Sequence, residues 1–357
     1  MNFGPELDLD LDGLGFATPA RPPVPDAETT RAVAAAVADG LGRRRKRLPP
    51  WLLYDQRGSA LFEEITALPE YYLTRTERAI FAAHAGDILR AAGLPLSVIE
   101  LGAGSAAKTR LLLQALIAEQ PRGDYMPVDV SPAALAEAAR QLRDLPRLHT
   151  RPVMARYPDE LGFLRGVAGR RLVLFLGSNI GNYDARAARA LLSAVCQHLG
   201  PGDALLIGTD LRKSARYLVP AYDDASGVTA RFIKNVLDRL NRELGATFAP
   251  DCFRHVAIWN RTASRMEMYL ESLVPQRVRI AALDLTISFA AGERIHTESS
   301  YKFTRGMVRD RLRSTGLRLE STWHDPRRWF AVHLCRVTGT ATERSSRTRS
   351  TRDTTSR

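Results

Sequence analysis

The stretch Ser97-Val-Ile-Glu-Leu-Gly-Ala-Gly-Ser-Ala-Ala-Lys-Thr109 constrains this chain more than any other. A short apolar run turns through Gly102 and Gly104 and opens into a helix-period segment over 109–118. Strand, glycine turn and helix is how an open α/β sheet presents backbone N–H groups and a helix N-terminus to a ligand. The turn reads E-x-G-x-G. It lacks the third glycine of the dinucleotide fingerprint, and the G-x-x-x-x-G-K-[ST] of a P-loop is absent. Glu100 at the strand end and Asp129, which closes Tyr125-Met-Pro-Val-Asp129, suit a nucleoside with a free ribose diol. A carboxylate accepts both hydroxyl protons and would repel a ribose phosphate.

The segments that follow repeat the alternation. Apolar strands are predicted at Ser97–Leu101, 125–130, 150–155, 172–176 and 204–208, with helical stretches between them. Such spacing implies a parallel sheet with right-handed crossovers. The alternation stops for about ninety residues over 211–301. It ends in a helix over 305–315 and two closing strands, 318–323 and 329–336. Upstream, helices are predicted at Ala27–Leu41, at 60–67, and from a Thr74 cap to residue 92. The fold expected is α/β: a Rossmann-like sheet with a second, discontinuous substrate-binding domain. Residues 76–211 plus 302–337 form the sheet domain, and 26–75 plus 212–301 the second. Residues 1–25 and the basic tail 338–357 are expected to be disordered.

The net charge of +12 raises the question of nucleic acid. Two segments hold eight of those twelve charges: Arg43-Arg-Arg-Lys-Arg47, and a tail with five Arg against Glu343 and Asp353. Basic stripes interleaved with aromatics, the mark of a nucleic-acid surface, are missing, so no nucleic-acid partner is expected. Cys196, Cys252 and Cys335 are widely spaced and form no C-x-x-C pair. Neither disulfides nor a zinc site are expected, and the seven histidines show no ligand spacing. No apolar run reaches the length of a membrane span, and the N-terminus has no basic-then-apolar signal. The expectation is a cytoplasmic, monomeric protein without metal or membrane partner.

The glycine turn with its two acids resembles motifs I and II of the S-adenosylmethionine-dependent methyltransferases. Further segments narrow the resemblance. They are Pro49-Pro-Trp-Leu-Leu-Tyr-Asp-Gln-Arg-Gly-Ser-Ala-Leu-Phe-Glu-Glu-Ile-Thr66, Leu68-Pro-Glu-Tyr-Tyr72 and Phe175-Leu-Gly-Ser-Asn-Ile-Gly-Asn182. Gly208-Thr-Asp-Leu211, Ala221-Tyr-Asp-Asp-Ala-Ser-Gly-Val-Thr229, Arg265-Met-Glu-Met-Tyr-Leu270 and Thr297-Glu-Ser-Ser-Tyr-Lys-Phe303 continue in the same order. Together, over roughly residues 30–335, they closely resemble the histidine Nα-methyltransferases (dimethylhistidine N-methyltransferases) of ergothioneine biosynthesis.

The resemblance implies three methyl transfers from S-adenosylmethionine to the α-amino group of L-histidine, giving hercynine. It implies that Gly102, Gly104, Lys108, Asp129 and Tyr157 contact the cosubstrate. Tyr71, Asn182, Tyr222, Met268, Glu298 and Ser300 would bind the amino acid, a small-molecule partner. Asn182, Tyr54 and Gly177 are the catalytic candidates: the Gly177 carbonyl orients the amine and Tyr54 works through a water. Glu298 and Ser300, two apart in an extended segment, would share one face and meet the two imidazole nitrogens. Where the family carries an acid and Phe to hold the adenine, this chain has Arg156-Tyr157, with Asp159 two places on. Leu53 and Leu73 also depart from the family near the pocket entrance. Other readings are an Nα-methyltransferase of tryptophan or tyrosine and an RNA-binding methyltransferase.

Overall fold

The computed structural model describes residues 27–157 and 160–338. Segment 1–25, the tail beyond Thr338 and Asp159 lie outside the described residues. Thr338 itself is ordered, its N–H donating to the Gly316 carbonyl at 2.8 Å.

The chain runs α1 (Ala27–Leu41), α2 (Gln56–Ala67), α3 (Tyr72–Ala92), β1 (Ser97–Leu101), α4 (Arg110–Glu119), β2 (Gly123–Asp129), α5 (Pro132–Leu142), β3 (Leu148–Thr150) and β4 (Val153–Met154). It continues through β5 (Arg171–Phe175), α6 (Ala185–Gln197), β6 (Ala204–Asp210), α7 (Ala215–Leu218) and α8 (Val228–Leu244). Five strands follow: β7 (Phe253–Asn260), β8 (Arg265–Ser272), β9 (Gln276–Ile280), β10 (Leu285–Phe289) and β11 (Arg294–Tyr301). The chain closes with α9 (Arg305–Leu312), β12 (Leu317–His324) and β13 (Phe330–Val337).

The main sheet has the order β12-β13-β6-β5-β1-β2-β3, with β4 also on β2. The core pairs are parallel, whereas β13 lies antiparallel to β6 and to β12. Strand residues alternate between two apolar layers, as a period of two requires. Val98, Leu172, Leu174 and Leu206 face the layer shared with α3 and α4. Ile99, Val173, Phe175 and Leu205 face the layer with α6 and α9. The first layer continues into α1, α2, α8 and the strands β7–β11, so one apolar core runs from the sheet into the rest of the chain. There β11, β8 and β7 form an antiparallel sheet and β9 pairs with β10.

Several boundaries differ from expectation, each for a local reason. The strand expected over 150–155 is two short pieces, because Pro152 has no N–H to give the ladder. α2 starts at Gln56, ahead of 60, because the Asp55 side chain caps it by accepting the Gly58 N–H at 2.8 Å. Thr74 does not cap α3. That helix begins at Tyr72, whose ring is buried with its hydroxyl 2.8 Å from an Asp210 oxygen, so a tertiary contact sets the start. α9 stops at Leu312, short of 315, as Ser314 turns to φ +61°.

Candidate active site

In this strand order the chain leaves β1 toward β2 on one side and returns to β5 on the other. The crevice at the carboxyl ends of β1 and β5 is therefore the topological switch point, where open α/β sheets collect ligands. One wall is the loop after β1. Gly102 (φ +71°) and Gly104 (φ +54°) hold backbone that side chains rarely adopt. A Cβ on Gly102 would lie 2.8 Å from the Tyr157 hydroxyl and 3.1 Å from Asn179 Nδ2, whereas Gly104 faces open space.

Asp129 sits half-buried beside this loop. Its carboxylate accepts the Gly104 and Ser131 N–H groups, each at 3.0 Å. Burial raises its pKa, against the opposing pull of those backbone donors. Val130, just past β2, and Met154, the last residue of β4, are exposed apolar side chains at the same edge. An open-floored glycine loop, an edge carboxylate and exposed apolar side chains fit a nucleoside-bearing donor.

Glu100 departs from expectation. It is fully buried, accepting from the Thr109 hydroxyl at 2.8 Å and the Tyr125 hydroxyl at 2.6 Å. Burial pushes its carboxyl up to about 7. It braces the loop from beneath and does not reach a ribose; Asp129 is the acid at the surface of the crevice.

Lys108 lies in the turn before α4, its ammonium 2.9 Å from Glu77. Burial pulls Lys108 down, but Glu77 and Glu100 outweigh it and leave the pKa raised. Glu77, on α3 and fully buried, also accepts the Gly177 N–H at 3.0 Å. Tyr157 stands edge-on to Phe175, ring centres 5.9 Å apart, with its hydroxyl over Gly102. Arg156 is exposed, and its N–H donates to the Glu160 carboxylate at 2.7 Å.

Across the crevice lies a cavity of about 530 Å³, counted to its open side. Tyr54, Tyr71, Gly177, Asn182, Tyr222, Met268, Glu298 and Ser300 all line it. Their elements are far apart in sequence. Tyr54 follows a 3-10 turn over Pro50–Leu53 and Tyr71 caps α3. Gly177 and Asn182 belong to the turn after β5, which tucks under β11 with Gly181 against the Tyr301 backbone. Met268 on β8 is the register partner of Glu298 on β11, just past a bulge at Thr297. Leu73 also lines the cavity; Leu53 is buried in the core and is not part of the lining.

Residues to which the sequence reading gave no part complete the walls. Phe62 and Phe232 join Tyr54, Tyr71 and Tyr222 in a chain of edge-on and tilted rings, with centres 5.4–6.3 Å apart. Asn179 reaches both Gly102 and the cavity and so joins the two halves of the site. Among the described residues no protein group hydrogen-bonds the Glu298 carboxylate, the Asn182 amide or the hydroxyls of Tyr54 and Tyr71. Burial raises the Glu298 carboxyl to about 7 against the opposing pull of Lys302.

Beneath Tyr222 and Ser300 lies a charged cluster. Lys302 is fully buried, and its ammonium meets Asp210 at 2.8 Å, Tyr222 at 2.6 Å and Ser300 at 2.9 Å. Asp210 also pairs with Lys213 and accepts from Tyr72. Burial works to raise the Asp210 pKa, but the two lysines hold it below the usual range, while Lys213 falls to about 8 through burial. Lys302 and Asp210 both sit inside segments quoted above for their resemblance, yet nothing in the spacing showed that they meet. Among the described residues no group of His, Cys, Asp and Glu could hold a metal ion, and no helix is long and apolar enough to cross a membrane.

Residues 33–337 match a family described as histidine-specific methyltransferase, SAM-dependent. The chain is 44% identical over 304 residues to the histidine N-alpha-methyltransferase of Mycolicibacterium smegmatis, covering 85% of this chain and 94% of that protein. It is 42% identical over 305 residues to the protein of the same description from Mycobacterium tuberculosis, with the same coverage. Ergothioneine biosynthesis protein 1 of Neurospora crassa is 32% identical over 285 residues, which are 78% of this chain and 32% of the fungal protein.

Proposed function

The chain belongs to the histidine-specific, S-adenosylmethionine-dependent methyltransferase family, and from that premise we propose that it methylates the α-amino group of L-histidine three times, yielding hercynine. The reading places it at the first step of ergothioneine formation, as a monomer in the cytoplasm. One observation carries the choice of substrate. A buried carboxylate without a protein partner, Glu298, shares a small cavity with the Tyr222–Ser300 hydroxyl pair. An imidazole has a nitrogen for each, whereas an indole has one N–H and leaves the remaining O–H of the hydroxyl pair without a partner. Discrimination of this kind is strong because a ligand lacking the matching group strands buried polar atoms.

S-adenosylmethionine, held by the Gly102–Gly104 loop, Lys108, Asp129 and Tyr157, supplies the methyl group on a sulfonium. The protein's contribution is placement. The Tyr71 hydroxyl and the Asn182 amide, both free, hold the substrate carboxylate and amine. In the first two transfers the Gly177 carbonyl accepts an amine N–H and turns the nitrogen lone pair toward the loop. Such orientation supplies much of the acceleration in a displacement between two bound partners. The amine must be neutral to attack, so the ammonium gives up one proton before each of the three transfers, through water at Tyr54, and the quaternary product has none left to lose. The rings of Tyr54, Phe62, Tyr71 and Phe232 accept the growing methylammonium by cation–π attraction, which polar donors would not.

The test is incubation with labelled S-adenosylmethionine and each of the twenty amino acids, with products identified by mass. Histidine gaining three methyl groups is expected. Label on another amino acid, with histidine untouched, overturns the reading.

A further inference from the structure

Lys302 touches no position a substrate can occupy, yet it settles what the pocket can offer one. It lies against Asp210, and both residues are 0% exposed. An ammonium has three donors and no acceptor. All three are spoken for, by Asp210 at 2.8 Å, Tyr222 at 2.6 Å and Ser300 at 2.9 Å. Both hydroxyl oxygens therefore already accept a hydrogen bond from below.

The two hydroxyls are also 2.9 Å from each other. That contact uses one of their two protons. A single O–H remains to point into the cavity that both residues line. Tyr222 and Ser300 cannot each donate to a ligand. If Tyr222 donated to the substrate carboxylate, Ser300 would face the ring as an acceptor. If Tyr222 donates to Ser300, Ser300 faces the ring as a donor. In the first case two acceptors, Ser300 and Glu298, meet the ring, which suits an imidazolium. In the second a donor and an acceptor meet it, which suits a neutral imidazole.

Two observations choose between them. Behind the hydroxyls two ammonium groups, Lys302 and Lys213, share the single Asp210 carboxylate, so a cationic ring there would face a net like charge. Tyr71 and Asn182 also line the cavity with unused donors, so the carboxylate does not need the Tyr222 proton. Resting on the histidine reading above, we propose that Lys302 is the positioning residue that sets the polarity of the ring subsite. By donating to Tyr222 and Ser300 together, it leaves Ser300 as a lone donor to the bare ring nitrogen, while Glu298 accepts the ring N–H. The enzyme then takes histidine as the neutral ring in one tautomer.

Replacing the lysine is tolerable for the fold, because Asp210 keeps Lys213 and Tyr72 as partners in Lys302→Met. Two measurements test the proposal. The first uses the unaltered protein with S-adenosylhomocysteine and ring-¹⁵N histidine at pH 8, where Glu298 is ionised. One protonated and one bare ring nitrogen are expected; two protonated nitrogens, or an average over both tautomers, overturn the proposal. This measurement stands even if the variant fails to fold.

The second compares histidine with the two pyrrolylalanine isomers, each of which keeps one ring N–H and has carbon in place of the other nitrogen. In the unaltered enzyme, the isomer that serves Glu298 should lose about 10- to 100-fold in kcat/KM, the usual consequence of leaving a buried donor unpaired. In Lys302→Met the hydroxyls are released and that discrimination should fall below about threefold, with the KM for histidine raised and that for S-adenosylmethionine within about twofold. A merely structural lysine would lower all substrates together and leave the ratio intact, and that outcome overturns the proposal. If the unaltered enzyme does not bind or methylate histidine, the reading beneath the proposal fails and the proposal with it.

Discussion

Glu77 offers the sharpest test of how the two halves of the site are joined. Its carboxylate is fully buried, receives the Gly177 N–H at 3.0 Å and pairs with Lys108 at 2.9 Å. One group thus holds the glycine assigned to the substrate amine and the lysine assigned to the cosubstrate. Glu77→Gln keeps the shape and an acceptor for Gly177 but removes the charge. Stranding the partner of a buried pair costs roughly 3–5 kcal/mol. Lys108 keeps 21% of its side chain exposed, so the lower end, about 3 kcal/mol, applies. At roughly 2–4 °C per kcal/mol, and nearer the low end for a chain this long, Tm should drop by about 6–10 °C.

The same variant also reports on the ligand. In the unaltered protein an incoming carboxylate meets a lysine already neutralised by Glu77; in Glu77→Gln it meets a bare ammonium. A hydrogen bond to a charged group is worth about 1.5–3 kcal/mol, so saturating S-adenosylhomocysteine should close the stability gap by about that much. The assay is urea unfolding with and without the ligand. Gly208→Ala serves as a control that leaves every charge in place. A Cβ there would lie 2.2 Å from the Glu77 oxygen, so the carboxylate must shift off Lys108 and Gly177. A loss under about 1 kcal/mol in Glu77→Gln would refute the energetic argument. A gap unchanged by ligand would refute the placement of Lys108 against the ligand carboxylate.

What the sequence disclosed and what it hid follow from locality. The loop at Gly102–Gly104 and its helix could be read because strand, turn and helix are adjacent in the chain. So could the Glu298–Ser300 pairing, because a two-residue spacing in an extended segment puts side chains on one face. Glu100 differs from its sequence expectation for the same reason. Its position at a strand end looked like that of a ligand acid, but whether it points to the crevice or the core depends on Thr109 and Tyr125. The apolar pattern runs on through 150–155, but Pro152 lacks the donor a ladder needs and splits that strand. Contacts between distant elements left no spacing to read. Asp210 ends a strand of the main sheet, Lys302 follows a strand of the other, and Glu77 lies mid-helix. The Asp210–Lys302 pair is set by how β6 and β11 pack, and the Glu77 contacts with Lys108 and Gly177 by how α3 lies on the sheet.

The remaining predictions turn on Glu298. Glu298→Ala should raise the KM for histidine by about 10- to 100-fold, the value of a hydrogen bond to a charged group, while the KM for S-adenosylmethionine stays within about twofold; equal rises would mean that the carboxylate does not meet the ring. The pH dependence has a definite sign. Burial lifts the Glu298 carboxyl to about 7, so it is ionised and able to accept a ring N–H only above that pH. Calorimetric titration with hercynine, whose trimethylated nitrogen cannot titrate, should show full affinity near pH 8 and weakening as pH falls through about 7. The ring itself takes up a proton only further down, nearer its ordinary pKa of about 6.5. Glu298→Gln removes the upper step and leaves the lower one. If hercynine affinity in the unaltered protein stays level from pH 8 to 7, the carboxyl is not the group that the ring meets.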